Sequence, residues 1–268
     1  MYPYQLIEEI RKQNPLIHNI TNIVVANDSA NGLLAIGASP FMSSAPEEME
    51  EVAALASATV LNTGTLSAEQ LEAMRLVGKR ANELGKPVVI DPVGVGATTF
   101  RKREIGRLLT EINPTLIRGN AGEIAALADI EWQSKGVDAG KGSADLVMAA
   151  EITAKKYQTI VSVSGETDIV TDGTTTYFVD NGTPFFTAMT GAGCLLSCVC
   201  GAFLAADATK SLEAVVVANC SYAIAGEVAA ADLNGLSVGS FRTNLLDILS
   251  QIDSKRMKQD AKIRRKAK

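Results

Sequence analysis

The chain has 268 residues, of which 47% are apolar, and a formal net charge of −5 at pH 7. This composition supplies a core for one large α/β domain or two small ones. No apolar run reaches the roughly 18 uncharged residues of a membrane span, and the N-terminus lacks the basic and then apolar pattern of a signal peptide. We therefore expect a cytoplasmic protein with no membrane partner.

The charge is distributed unevenly along the chain. Residues 255–268 carry a net charge of +7, which leaves −12 on residues 1–254. An acidic body argues against a nucleic-acid groove, and a short basic end is typical of a solvated, partly frayed terminus. We therefore predict a single domain over 1–254, a basic tail over 255–268 and no nucleic-acid partner.

Strand-type and helix-type segments alternate along the chain. The predicted helices are 4–12, 24–36, 46–56, 67–85, 102–111, 122–128, 143–156 and a long stretch from 191 to about 255, broken near Ala208 and Asn234. The predicted strands are 15–19, 40–42, 58–62, 87–91, 115–118, 159–163, 168–171 and 175–179. Such alternation predicts right-handed βαβ units and a mainly parallel sheet covered on both faces, with one antiparallel hairpin turning at Asp172 and Gly173.

Polar or glycine-rich residues follow the predicted strands. Asp91, Arg118 and Ser164 each end or follow an apolar strand. Because ligands bind beyond the carboxyl ends of parallel strands, these side chains should lie on one rim. The alternative is that these residues are polar only because they lie in loops, which are commonly polar, and that they form no site.

The stretch Gly191-Ala192-Gly193-Cys194 opens a long apolar helix. The first amides of a helix lack intrahelical partners, and glycines let an anion approach the backbone closely. The alternative is a turn that only lets the helix pack tightly. The chain has neither a G-x-x-x-x-G-K-[ST] nor a G-x-G-x-x-G pattern, so the common nucleotide-binding folds are not supported.

An anion site, a cation and carboxylates that hold Mg²⁺ are the parts that phosphoryl transfer requires. Asn120 and Glu123 add an amide and a carboxylate one helical turn apart at the rim. Their alternative role is a helix cap, in which the helix dipole favours the Glu.

Five segments together resemble the hydroxyethylthiazole kinase family. They are PLIHNITN (15–22), GASPFM (37–42), VIDPVG (89–94), IRGNAGE (117–123) and TGAGC (190–194). The resemblance runs from about Leu16 to Asn244. It implies a ribokinase-like three-layer αβα sandwich and ATP- and Mg²⁺-dependent phosphorylation of 4-methyl-5-(2-hydroxyethyl)thiazole in thiamin salvage. It also implies a homotrimer with active sites at the subunit interfaces.

The resemblance assigns roles to individual residues. Met42 would contact the thiazole, with Asn22 and His18 near it and Gly191 at the substrate hydroxyl. Arg118 and Ser164 would bind ATP, although Ser164 stands where we would expect Thr. Glu123, and Asp91 through water, would organise Mg²⁺, and the amides of Ala192 and Gly193 would stabilise the transferred phosphoryl group. A purely structural role is the alternative for both His18 and Asn22.

Cys194 occupies the position at which related sugar and vitamin kinases carry an Asp general base. A thiol at a helix N-terminus is expected to have a lowered pKa and could accept the alcohol proton. The alternative is a small side chain that packs a tight helix start. The other cysteines, Cys198, Cys200 and Cys220, lie in apolar sequence typical of buried, reduced thiols.

Three other functions remain open at this point. Hydrate-repair dehydratases share the fold but normally carry Asp at the position of Cys194. A hydroxymethylpyrimidine or pyridoxine kinase would use the same chemistry on another alcohol. A binding protein that senses thiazole or nucleotide would be stabilised by ligand without turnover.

Overall fold

The computed structural model describes residues 2–130, 139–207, 209 and 211–267. Within these residues the strands are β1 (Leu16–Ile20), β2 (Ser39–Met42), β3 (Ala58–Asn62), β4 (Val88–Asp91), β5 (Leu116–Asn120), β6 (Ile160–Ser164), β7 (Asp168–Thr171), β8 (Thr176–Val179) and β9 (Ile263–Arg265). They form one sheet in the order β2-β1-β3-β4-β5-β6-β7-β8-β9. Strands β1 to β6 are parallel, and β7 to β9 are antiparallel to their neighbours. The predicted parallel sheet and the predicted hairpin are both confirmed.

Helices cover both faces of the sheet. In the described residues they are α1 (Leu6–Gln13), α2 (Ala26–Ile36), α3 (Met49–Leu55), α4 (Ala68–Glu83), α5 (Thr99–Glu111), α6 (Ala121–Leu127), α7 (Ala139–Tyr157), α8 (Phe185–Ala188), α9 (Ala192–Ala206), α10 (Leu212–Ala230), α11 (Val238–Gln251) and α12 (Ser254–Asp260). One apolar cluster lies between the sheet and α1, α2 and α8 to α12. A second lies between the opposite face and α3 to α7. The predicted three-layer αβα architecture is therefore confirmed.

Local sequence signals set most of the element boundaries. Strand β3 is buried along its whole length, as expected for an apolar run between two helical layers. Helix α2 ends at Gly37, which adopts a left-handed conformation with φ of 95°. Ser67 caps α4 by accepting a hydrogen bond from the Gln70 amide, but the Gln70 side chain donates to the Thr21 carbonyl, 3.4 Å away. Ser67 therefore caps α4 without the return hydrogen bond from the Gln70 side chain that would complete a capping box.

The segment before Gly191 contains a short helix. Residues Phe185–Ala188 form α8, and the rings of Phe185 and Phe186 pack against α11 and α10. Phe185 stacks on Phe241 with ring centroids 5.0 Å apart, and Phe186 stacks on Tyr222 at 4.8 Å. Packing of these rings on long helices determines the local conformation, which a short aromatic run cannot specify.

The prediction of a frayed basic terminus is wrong. Helix α12 buries Met257, and β9 adds an antiparallel strand to the edge of β8. Arg264 of β9 lies over the Phe178 ring, 4.0 Å from its centroid, and pairs with Asp180 at 2.7 Å. An unpaired strand edge is a template for another strand, and the chain covers it with its own terminus. The predicted break at Ala208 lies outside the described residues, although α9 ends at Ala206 and α10 begins at Leu212.

Helix α10 is long and apolar enough to cross a bilayer, the one such helix in the described part of the chain, but 78% of its most apolar window is buried inside the protein. Its hydropathy is therefore that of a core helix. It packs between α9 and α11 on one face of the sheet.

Helices α2 and α9 approach each other closely at Gly32. A Cβ at Gly32 would lie 2.2 Å from Leu195 Cδ1 and within 3.2 Å of two further Leu195 atoms. Leu195 is fully buried, so its side chain has little room to move. The glycine therefore fixes how closely α2 approaches the first turn of α9.

We expect Gly32→Ala to lower the free energy of unfolding by about 1–3 kcal/mol, because the added methyl overpacks the contact with Leu195. The matched control is Gly106→Ala in the interior of α5, where a Cβ would meet nothing within 4 Å. That variant should gain up to about 1 kcal/mol from helix propensity. Urea unfolding of both variants makes the comparison, and equal effects would contradict the close approach of α2 to α9.

Candidate active site

A cavity of about 1040 Å³ opens at the carboxyl ends of the parallel strands, beside the start of α9. We call it the central cavity. Most of the residues selected from the sequence line it, namely Asp91, Arg118, Glu123, Ser164, Gly191, Ala192, Gly193 and Cys194. The predicted rim of polar strand ends is therefore confirmed as one surface.

Three selected residues are not part of this lining: His18, Asn22 and Met42. Met42 ends the edge strand β2 and is 39% exposed. His18 is fully buried on β1, and its Nε2 lies 3.0 Å from the Ser43 carbonyl oxygen. Burial lowers the pKa of His18, which favours a neutral ring that donates from Nε2. In a single copy of the chain, these contacts favour a purely structural role for His18.

Asp91 lies at the end of β4 with no exposure to solvent. Its Oδ2 accepts hydrogen bonds from Asn62 at 2.9 Å and from Ser197 at 2.8 Å, and Arg118 Nη1 lies 3.6 Å away. Its Oδ1 is buried and has no hydrogen-bond partner among the described residues. Burial raises the pKa of Asp91 to about 6, although Arg118 opposes the rise.

Arg118 reaches from β5 across the start of α9. Its Nη2 donates to Ser164 Oγ, so the two residues selected for ATP binding contact each other. A Cβ at Gly193 would lie 2.4 Å from Arg118 Nη1. The sequence suggested that a glycine here admits a phosphate; in the structure it admits the Arg118 guanidinium.

The start of α9 leaves amides free toward the central cavity. Gly191 is the N-cap with φ of 83° and has no side chain to cap the helix. The Ala192 amide, which we expected to be free, donates to the Met189 carbonyl at 3.3 Å. Within the described residues, the amides of Gly193 and Cys194 have no acceptor. The free donors are thus shifted one residue along the chain from the predicted ones.

Glu123 is a helix cap in the structure. It forms a capping box with Asn120, whose amide donates to Glu123 Oε2 at 2.8 Å. Its Oε1 accepts a hydrogen bond from the Gly94 amide at 2.9 Å. Asn120 and Glu123 therefore form the helix cap that was the alternative role for them. Glu123 also lines the cavity.

The expected lowering of the Cys194 pKa is wrong. Burial, reinforced by the Asp91 carboxylate, raises the pKa of Cys194 to about 11, against the effect of the Asn62 and Arg118 contacts. Its Sγ accepts a weak hydrogen bond from Asn22 Nδ2 at 3.6 Å. Cys194 is therefore a thiol near neutral pH, because its low-dielectric surroundings outweigh the helix dipole.

Three residues that were not selected as site residues from the sequence hold the site together: Asn62, Ser197 and Tyr222. Asn62 Oδ1 accepts from Asn22 Nδ2 at 2.9 Å, so Asn62 connects the segment after β1 to Asp91. The Tyr222 hydroxyl donates to the Ala192 carbonyl at 2.8 Å. The position of Asn62 at a strand end was the one available signal, since Tyr222 and Ser197 lie within apolar helical sequence.

The donor set is suited to Mg²⁺. In the described residues no group of three or more His, Cys, Asp and Glu side chains is arranged to hold a metal. Mg²⁺ usually keeps several waters and takes one or two carboxylates together with substrate phosphates. The unpartnered, buried Oδ1 of Asp91 in the cavity wall fits that pattern.

Comparisons with known proteins find relatives of one family. A sequence model of the hydroxyethylthiazole kinase family matches residues 7–255. A protein from Pasteurella multocida named hydroxyethylthiazole kinase is 55% identical over 258 residues, which cover 96% of this chain and 97% of that protein.

The similar structures have the same fold. A hydroxyethylthiazole kinase structure from Pyrococcus horikoshii OT3 superposes with a TM-score of 0.89 at 38% identity, covering 98% of both chains. A ribokinase-like superfamily protein from Enterococcus faecalis V583 superposes with a TM-score of 0.63 at 12% identity, over 88% of this chain and 86% of that chain. The predicted ribokinase-like fold is confirmed.

Asp168 provides a pH-dependent test of the cavity. Burial raises its pKa from 3.8 to about 6, against the effects of the Gly165 amide and Arg118. Between these values the folded chain holds a proton that the unfolded chain releases, so the free energy of unfolding falls as pH rises. We expect Asp168→Asn, which keeps an acceptor for the Gly165 amide, to gain about 3 kcal/mol at pH 8 and little at pH 4.

Urea unfolding at both pH values measures this effect, with Asp247→Asn on the exposed face of α11 as the control. A gain for Asp168→Asn of the same size at pH 4 and pH 8 would show that ionisation of Asp168 does not cause it.

Proposed function

The chain belongs to the hydroxyethylthiazole kinase family, and from this premise we propose how the central cavity performs the reaction. As a kinase of this family, the chain acts on a thiazole alcohol and ATP. The hydroxyethyl oxygen forms a bond to the γ-phosphorus as the bond to the β,γ-bridging oxygen breaks, and the alcohol proton is released. The supporting observation is that the free amides at the start of α9 face a cavity that Asp91 and Arg118 also line.

The Gly193 and Cys194 amides stabilise charge on the transferred phosphoryl group. Each such donor contributes about 10²–10³-fold to turnover in comparable sites. Arg118 neutralises charge beside them and, with Ser164, binds ATP. Ala192 contributes by its position, because Tyr222 holds its carbonyl and thereby orients the first turn of α9. Gly191 leaves room for the substrate hydroxyl.

Asp91 and Glu123 are the residues that would hold Mg²⁺, Asp91 through water. When bound, the ion would neutralise charge on the phosphate oxygens. Asp91 is suited to this role because Asn62 and Ser197 both donate to its Oδ2 and leave Oδ1 available. Glu123 is held in place by backbone amides, which fixes its orientation.

The thiazole end of the site requires a second subunit in this proposal. Met42, at the end of β2, is 39% exposed, and Ile23 and Val24, which follow the neighbouring strand β1, are 82% and 64% exposed. Exposed apolar groups of this kind mark interaction surfaces. A homotrimer would cover them and bring Met42, together with the segment of His18 and Asn22, to an interfacial site. A single domain, which α12 and β9 extend beyond residue 254, and the cytoplasmic location belong to the same proposal.

A coupled ADP-release assay tests the function. We expect ADP release and phosphorylated thiazole with 4-methyl-5-(2-hydroxyethyl)thiazole, ATP and Mg²⁺, and no release with the 5-ethyl analogue, which lacks the acceptor hydroxyl. Hydroxymethylpyrimidine and pyridoxine should react more slowly. ADP release that requires a hydrated nicotinamide nucleotide would indicate a dehydratase, and thermal stabilisation by thiazole without ADP release would indicate a sensor.

Substitutions at Cys194 test whether the thiol is the base. Because the thiol is protonated near neutral pH and the alcohol proton leaves late in a loose transition state, we expect Cys194→Ala to lower kcat by less than about tenfold. Cys194→Asp, which supplies a carboxylate, should keep or raise kcat. The control Cys198→Ala removes a buried thiol one turn further along α9 and should leave kcat unchanged.

Steady-state rates from pH 6 to 10 complete this test. A loss of about 10³-fold in Cys194→Ala, with a wild-type rate that climbs toward pH 10, would identify the thiolate as the base after all.

A further inference from the structure

The basic C-terminal segment is built into the wall of the central cavity. Lys262 lines the cavity together with Asn181 and Gly182. The Lys262 amide donates to Asn181 Oδ1 at 2.7 Å, and its carbonyl accepts from the Asp180 amide at 2.9 Å. Asn181 Nδ2 in turn donates to the Asp260 carbonyl at 3.0 Å. This segment lies beyond the residues that the family model matches, which end at 255.

The cavity wall is strongly acidic for a site that binds a nucleotide. In the part of the chain that the structure describes, six carboxyl side chains line it, against the two cations Arg118 and Lys262. Arg118 is already engaged by Asp91 and Ser164. Lys262 pairs with Glu227 at 3.1 Å, but its side chain is 59% exposed and able to turn toward a ligand.

The position of Lys262 relative to the start of α9 follows from helix α10. Tyr222 contacts the Ala192 carbonyl at the start of α9, and Glu227 lies five residues further along α10. Helix α10 therefore contacts the first turn of α9 through Tyr222 and contacts Lys262 through Glu227, and all of these residues line the one central cavity.

We propose that Lys262 binds the α-phosphate of the nucleotide, so that the C-terminal strand forms part of the ATP site. This inference rests on the proposed function. When the nucleotide is bound, the Lys262 ammonium donates to an α-phosphate oxygen. Glu227 keeps its hydrogen bonds from Asn181 and Gly182, and so holds the wall in place.

The test compares Lys262→Gln with Lys266→Gln, which removes the same charge from the same terminal segment. Lys266 pairs with Glu151 and does not line the cavity. We expect Lys262→Gln to raise the KM for ATP and the Kd for ADP about five- to tenfold, the effect of losing one charge-assisted hydrogen bond. The KM for thiazole and kcat should stay within about twofold, and Lys262→Arg should restore most of the affinity. Lys266→Gln should match the wild type.

Competition by AMP and by adenosine separates a phosphate contact from a structural role. We expect Lys262→Gln to weaken AMP about as much as ADP and to leave adenosine unchanged. Equal weakening of AMP and adenosine would show that Lys262 only shapes the wall, and unchanged ADP binding would exclude the contact. Equal effects of Lys262→Gln and Lys266→Gln would attribute the change to net charge. Absence of thiazole phosphorylation by the wild type would overturn the proposed function. Normal wild-type turnover combined with any one of the three contrary results would overturn only the inference about Lys262.

Discussion

The buried pair of Asp91 and Arg118 is the contact on which the rest of the site depends. Removing a charge from water costs several kcal/mol unless the charge is paired and hydrogen-bonded. Here Asn62 and Ser197 donate to the carboxylate, and the guanidinium donates to Ser164. The pair lies directly over the first turn of α9, and a side chain at residue 193 would collide with it. Gly193 is therefore required by the packing of Arg118, whatever its role toward a ligand.

The same arrangement keeps the start of α9 available for a ligand. Helix α9 has no acidic residue in its first turn and no side-chain cap, so its partial positive charge is not neutralised by its own residues. Arg118 adds a full positive charge beside it. The parallel strands bring these groups together because their carboxyl ends meet at one edge of the sheet. The location of the site is thus set by the sheet topology, and the side chains at the strand ends determine its charge.

The sequence predicted the features that depend on local patterns. Apolar strands, the end of the second helix at residue 36 and the polar strand ends each follow from a few neighbouring residues, and the structure has all of them. The resemblance to a kinase family added the roles of the rim residues. The raised pKa of Cys194 could not be predicted, because it depends on Asp91 and on burial by distant elements. Likewise Ser197 contacts Asp91 across 106 positions of sequence, and a serine in an apolar helix gives no sign of it.

The C-terminal segment shows why net charge along a sequence is a poor guide to disorder. Eight cations in fourteen residues suggested a solvated end, but two of them have partners on the cavity wall. Arg264 pairs with Asp180, and Lys262 pairs with Glu227. Both carboxylates line the cavity and would otherwise repel a polyphosphate. Cations of the basic end therefore neutralise carboxylates of the acidic body at the cavity wall. These ion pairs form when β9 pairs with the edge of β8.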